Sequence, residues 1–190
     1  MAHIAILGLG NWGTAVARMW LLEGHKVKGW TIEQEVYESV VMDGINKKYL
    51  PDHPVDGLEA TMRIDEALDG VEIVVLAIPS SVILDVVDDV IPHLRPGHVL
   101  IDLAKGLAPG KRLISQAIHE KLNLAQKTNP LAVVTGPTIA PEAAGGVITT
   151  ALVASEDESV ARRLAETLTT QTFILHAASD PVGAELWGAF

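Results

Sequence analysis

The stretch Ile4-Ala5-Ile6-Leu7-Gly8-Leu9-Gly10-Asn11-Trp12-Gly13-Thr14-Ala15-Val16-Ala17 decides the fold. An apolar run leads directly into a GxGxxG turn, and helix-compatible sequence follows from Thr14 to Leu22. A strand, a tight glycine turn and a helix, in that order, form a dinucleotide-binding unit. Gly8 permits the tight turn, Gly10 lets the backbone approach a pyrophosphate, and Gly13 lets the helix pack close to the strand. The helix start then offers N–H groups and partial positive charge to phosphate oxygens. The glycine pattern alone is short and common. Its place after a strand and before a helix gives it weight.

Outward from this loop, apolar runs alternate with amphipathic stretches. Strands are predicted at His3–Leu7, Lys26–Trp30, Met62–Ile64, Val71–Ile78, His98–Leu103, Leu131–Thr135, Thr150–Ala154 and Thr172–Leu175. Several are almost continuously aliphatic, as strands covered on both faces are. Helices are predicted at Thr14–Leu22, Glu33–Met42, Val82–Ile91, Arg112–Lys121 and Glu158–Thr169. Gly24 is suited to end the first helix, Ser81 to cap Val82–Ile91, and Ser155 to precede Glu158–Thr169. The alternation predicts an α/β fold: a Rossmann-like, doubly wound, mostly parallel sheet with helices on both faces. Asp43–Leu58 is the longest irregular stretch, and an irregular segment of that length inside a domain is often functional.

In such a sheet, ligands gather at the carboxyl ends of the strands. Here those ends carry the glycine loop, Trp30-Thr31-Ile32-Glu33, Pro79-Ser80-Ser81, Ala104-Lys105-Gly106 and Gly136-Pro137-Thr138. Glu33 lies 20 residues beyond Gly13, where an acid accepts a hydrogen bond from a ribose 2′-hydroxyl. Lys105 places an ammonium beside a glycine, able to reach a phosphate or a developing alkoxide.

Composition bounds the remainder. A length of 190 residues fits one dinucleotide-binding domain over 1–190, and 48% hydrophobic content is enough for a sizeable core. There is no cysteine, hence no disulfide framework, and the seven histidines form no metal-binding pattern. A net charge of −10 argues against a nucleic-acid partner. The longest nearly apolar run, Val71 to Pro79, is far short of the roughly 20 residues of a membrane span. With no basic, apolar leader at its start, the chain is expected to be cytoplasmic.

The chain resembles the N-terminal domain of NAD(P)-dependent glycerol-3-phosphate dehydrogenases. The matching segments are GLGNWGTAVA (Gly8–Ala17), NKKYLP (Asn46–Pro51), AIPS (Ala77–Ser80), AKGL (Ala104–Leu107), GPTIAPE (Gly136–Glu142) and DPVGAELWGA (Asp180–Ala189). They lie in the family's order and cover nearly the whole chain. The resemblance implies hydride transfer between a nicotinamide cofactor and dihydroxyacetone phosphate, giving sn-glycerol 3-phosphate, and a place in glycerophospholipid metabolism. It also implies cofactor contacts at Asn11, Trp12, Tyr49, Lys105 and Ala140, and substrate contacts at Lys105, Gly136 and Thr138.

Two departures from the family pattern matter. Many bacterial relatives place an arginine two positions after the strand-two tryptophan; here Ile32 stands there, followed by Glu33. A carboxylate repels a 2′-phosphate, so NAD is favoured over NADP. The family motif also runs GALKN, whose lysine is its proposed general acid, whereas this sequence reads Gly188-Ala189-Phe190. By the same resemblance, the chain is expected to carry only the first residues, about 180–190, of the family's helical substrate and dimerisation domain. The expectation is a chain that binds NADH without turnover, within a homodimeric full-length enzyme. Two other readings stay open: a non-catalytic nucleotide-binding module, and another hydroxyacid dehydrogenase of the ketopantoate or 6-phosphogluconate type. NKKYLP and GPTIAPE argue against the latter.

Overall fold

Ile4, Ala5, Ile6 and Leu7 have no solvent exposure, which requires a strand covered on both faces. They form β1 (His3–Leu7), which pairs in parallel with β2 (Lys26–Trp30) on one side and β4 (Ile73–Leu76) on the other. The computed structural model describes residues 1–188, so the predictions that fall on Ala189 and Phe190 lie outside the described residues. The remaining strands are β3 (Glu59–Thr61), β5 (Val99–Asp102), β6 (Leu131–Thr135), β7 (Thr149–Ser155) and β8 (Phe173–Ala178). The helices are α1 (Asn11–Leu22), α2 (Gln34–Asp43), α3 (Ile64–Leu68), α4 (Ile83–Val90), α5 (Ile114–Leu124), α6 (Ala140–Ala144), α7 (Glu158–Leu168) and α8 (Pro181–Gly188). No helix among the described residues is long and apolar enough to cross a membrane.

All eight strands form one sheet in the order β3-β2-β1-β4-β5-β6-β7-β8. The first six are parallel in the doubly wound order, and the strand order reverses between β1 and β4. β7 runs antiparallel to β6, and β8 runs parallel to β7. Side chains alternate to the two sheet faces. Ile4, Ile6, Val75 and Ile101 pack with Trp20 of α1 and Phe173 on one face; Ala5, Leu7, Val74 and Leu76 pack with Ile83, Ile114 and Ile118 on the other. The buried Trp20 indole donates to the Leu168 carbonyl at 3.0 Å, so the fully buried ring leaves no polar group unmet.

Several local expectations need correction. β3 lies at Glu59–Thr61, not Met62–Ile64. The Thr61 hydroxyl accepts from the Arg63 amide at 3.1 Å and turns the chain into α3, so Ile64 opens a helix instead. Ser81 does not cap α4: the Pro79 carbonyl accepts from Val82 and Ile83 N–H, and the turn is closed by backbone. Ser155 instead donates to the Leu131 carbonyl across the sheet, and Asp157 caps α7 by accepting from the Ser159 amide at 2.9 Å. Gly24 follows the cap residue of α1 and donates to the Leu21 carbonyl, as expected.

Candidate functional site

The glycine loop divides its three tasks among three positions. Gly8 has φ +102°, and a Cβ there would stand 2.4 Å from the Ala77 carbonyl oxygen. At Gly13 a Cβ would meet the Gly8 oxygen at 1.9 Å, so helix and loop touch through backbone. Gly10 is different: its φ of −75° suits any residue, and nothing lies within 4 Å of its ideal Cβ. Open space there, directly before the first turn of α1, is what an approaching pyrophosphate needs. The Gly10 carbonyl accepts from Thr14 N–H, and Asn11, Trp12 and Gly13, whose N–H groups have no acceptor within the helix, border the opening.

The loop forms one wall of a 540 Å³ cleft, within the range of ligand pockets. Gly8, Gly10, Asn11, Trp12, Gly13, Glu33, Tyr49, Lys105, Thr138 and Ala140 all border it. Gly136 does not. It borders a second cavity of 890 Å³ with Thr135, Pro137, His176, Asp180 and Trp187. Its lack of a side chain also has a cause inside the fold, since a Cβ would come 2.6 Å from the Thr150 carbonyl oxygen of β7. Lys105 borders both cavities, with Nζ 3.4 Å from the Gly136 carbonyl oxygen. Trp12 serves packing as well as the cleft: its ring meets Phe173 edge-on, with centroids 5.9 Å apart.

The irregular stretch after α2 folds back onto the glycine loop. Asn46 is wholly buried and donates 2.8 Å hydrogen bonds to the Leu9 carbonyl and to Thr14 Oγ1, while its Oδ1 accepts from the Tyr49 amide. Arg18 of α1 ties the same stretch to α6 through the Pro54 and Ala144 carbonyls. Tyr49 is thereby held at the cleft, and its hydroxyl donates to Glu33 Oε1 at 2.8 Å. Lys48 donates to Glu33 Oε2 at 2.5 Å. Those two bonds, Lys48 first, hold the Glu33 carboxyl below the usual carboxylate range. Its charged form is therefore favoured, and Lys48 partly compensates it.

Sequence reasoning missed Asn46 and Lys48 as site-forming residues, although both lie within the NKKYLP segment. It also missed Asp102, at the end of β5. That carboxyl is buried; Oδ1 accepts from the Ala104 amide at 2.8 Å and Oδ2 has no partner among the described residues. Burial, with a smaller contribution from the Glu185 charge, pushes it up to about 8. Glu185 of α8 in turn accepts from the Ile114 and Ser115 amides and so closes the start of α5.

Residues 3–161 match the family model of the NAD-dependent glycerol-3-phosphate dehydrogenase N-terminus. Among curated relatives, a glycerol-3-phosphate dehydrogenase [NAD(P)+] from Exiguobacterium is 37% identical over 191 residues, covering 100% of this chain and 56% of the relative. One from Syntrophotalea carbinolica is 33% identical, covering 98% of this chain and 56% of the relative. The chain thus spans about half the length of the curated relatives it matches. The crystal structure of glycerol-3-phosphate dehydrogenase from Coxiella burnetii superposes with a TM-score of 0.89 at 32% identity, over 98% of this chain and 57% of that one.

Proposed function

Because the chain belongs to the family of NAD-dependent glycerol-3-phosphate dehydrogenase N-terminal domains, we propose that it is the dinucleotide-binding part of an enzyme interconverting dihydroxyacetone phosphate and sn-glycerol 3-phosphate. The observation that carries this reading is the position of Lys105 between the cleft and the second cavity. A binding module needs the cleft alone; a dehydrogenase needs a substrate pocket opening onto it, with a cation where the two meet. When bound, the nicotinamide dinucleotide supplies the hydride to the ketone carbon and accepts it in the reverse direction. The first-turn N–H groups of α1 hold the pyrophosphate, with Asn11 and Trp12 at the loop and Ala140 across the cleft. The Lys105 ammonium stabilises negative charge on the substrate's oxygen and phosphate, and Gly136 and Thr138 border the substrate side.

NAD is the preferred form in this reading. Glu33 accepts the ribose 2′-hydroxyl, Ile32 offers no arginine for a 2′-phosphate, and Tyr49 fixes the carboxylate. A homodimeric whole enzyme and a cytoplasmic location also belong to the proposal, on the strength of the family. Calorimetric titration tests the core of it: NADH should bind at least tenfold more tightly than NADPH, a preference of about 1.4 kcal/mol, and Glu33→Arg should narrow or reverse that. Equal or tighter NADPH binding by the unmodified chain would refute the NAD preference, and no binding of either would refute the function.

A further inference from the structure

Lys48 has an unusual number of engagements for an exposed lysine. Its ammonium donates to Glu33 and to Glu35, and it sits 5.5 Å from the centroid of the Tyr49 ring. Glu33 and Tyr49 both border the cleft, and both are joined to Lys48. The neighbouring Lys47 is occupied elsewhere, 2.8 Å from Asp43. Glu33 therefore faces the cleft as a carboxylate whose charge is matched by one cation, with Glu35 as the competing anion. No comparable reserve cation stands at Ile32, the position next to Glu33.

We propose that Lys48 is a specificity-determining residue that sets how strictly the ribose subsite rejects a 2′-phosphorylated dinucleotide. The inference rests on the reading above that Glu33 meets the ribose 2′ position. With Lys48 on Oε2 and the Tyr49 hydroxyl on Oε1, Glu33 retains lone pairs to accept a further hydroxyl but exerts only part of its repulsion on a phosphate dianion. Lysine is a flexible point charge on a four-carbon stem, and Lys48 has a second carboxylate, Glu35, on which to pivot. A 2′-phosphate entering beside Glu33 would draw the ammonium onto itself. The subsite thus discriminates by the difference between two partners of one lysine, and its NAD preference is moderate by construction. Removing one unit of charge at a partly exposed site changes affinity by roughly tenfold.

The test is a double-mutant cycle on the 190-residue chain, with NADH and NADPH affinities measured by calorimetry for wild type, Lys48→Met, Glu33→Gln and the double variant. Lys48→Met should raise the ratio of the NADPH to the NADH dissociation constant about tenfold, chiefly by weakening NADPH. Glu33→Gln should lower the ratio by a similar factor, and the double variant should lose most of that gain because the freed ammonium is gone. Lys48→Arg should keep the ratio within about twofold of wild type, since the charge remains. Lys48→Gln serves the same comparison if methionine alters the circular dichroism spectrum. A ratio unmoved by Lys48→Met in a folded chain overturns the proposal while leaving the cleft's function intact, as does equal weakening of both dinucleotides, which marks a merely structural lysine. If wild type binds neither dinucleotide, the reading of the cleft fails and this inference fails with it.

Discussion

Replacing Gly10 by valine puts a branched side chain where the structure leaves 4 Å of open space around an ideal Cβ. The backbone there, with φ −75° and ψ −168°, is extended and accepts valine without strain. The cost to folding is then the poorer helix start, about 1 kcal/mol. The cost to binding is larger. Phosphate oxygens must come within about 3 Å of the first-turn N–H groups, and the valine methyls occupy that approach. Each charge-assisted hydrogen bond is worth ~1.5–3 kcal/mol, so losing two removes ~3–6 kcal/mol, or ~10²–10⁴ in affinity. NADH titration by calorimetry, paired with thermal melting, separates the two costs. Gly8→Ala and Gly13→Ala are the contrasting controls: their Cβ atoms would lie 2.4 and 1.9 Å from backbone oxygens, so they should damage the fold itself. Were Gly10→Val to melt normally and bind NADH within about threefold of wild type, the glycine loop would not be the phosphate site.

Lys105→Ala, in an enzyme carrying this domain together with the rest of its relatives' length, should lower turnover ~10²–10³-fold while the NADH affinity changes little; a loss below about threefold would assign Lys105 to the solvated surface. Asn46→Ala leaves the Leu9 carbonyl, Thr14 hydroxyl and Tyr49 amide short of a partner, at ~2–4 kcal/mol. The melting point should therefore drop by ~5–15 °C and NADH binding should weaken; an unchanged melt would show that the loop is anchored elsewhere. Asp102 keeps its proton in the folded chain up to about 8, whereas an unfolded aspartate loses it near 3.9. Between those values the folded state holds more protons, so this group makes stability fall as pH rises through the window and level off above it, by on the order of a few kcal/mol. Asp102→Asn should flatten that slope in melts at pH 5, 7 and 9; identical slopes would remove Asp102 as the cause.

What the sequence made legible follows from how much of each feature is local. β1, β2 and β6 match their predicted bounds because breakers or polar residues flank them: Gly8 ends β1, His25 and Thr31 flank β2, and Pro130 and Gly136 bracket β6. β3 did not, because a three-residue edge strand, Glu-Ala-Thr, has no apolar run to announce it. α6 spans five residues with Pro141 in its first turn, too short for a helical period to register. The strand-end rule gathered most of the cleft in advance, since sheet topology alone brings those loops together. It could not foresee that Asn46 would turn inward under the glycine loop or that Lys48 would reach back to Glu33, because neither contact has a local signal. Asp102 reads as the polar end of a strand; only its surroundings make it a buried acid.

The antiparallel joint between β6 and β7 works as a change of parity. Each parallel crossover returns the chain to the sheet travelling in the same direction, so a helix leaving a strand's carboxyl end at the cleft always runs away from it. One reversal inverts that rule for everything downstream. β7 and β8 travel away from the cleft, so α8 sets out from the opposite end of the sheet and arrives where the others depart, with Trp187 and Gly188 at the rim of the second cavity. The fit is tight at arrival: a Cβ on Gly188 would overlap the Thr135 hydroxyl at the end of β6. The same reversal lets the segment from Gly136 to Ile148 leave and re-enter the sheet at one end. It can therefore lay α6 across α1 beside the cleft without having to span the sheet. A fully parallel sheet of these eight strands would have required that segment to span the sheet and would have started α8 at the cleft end.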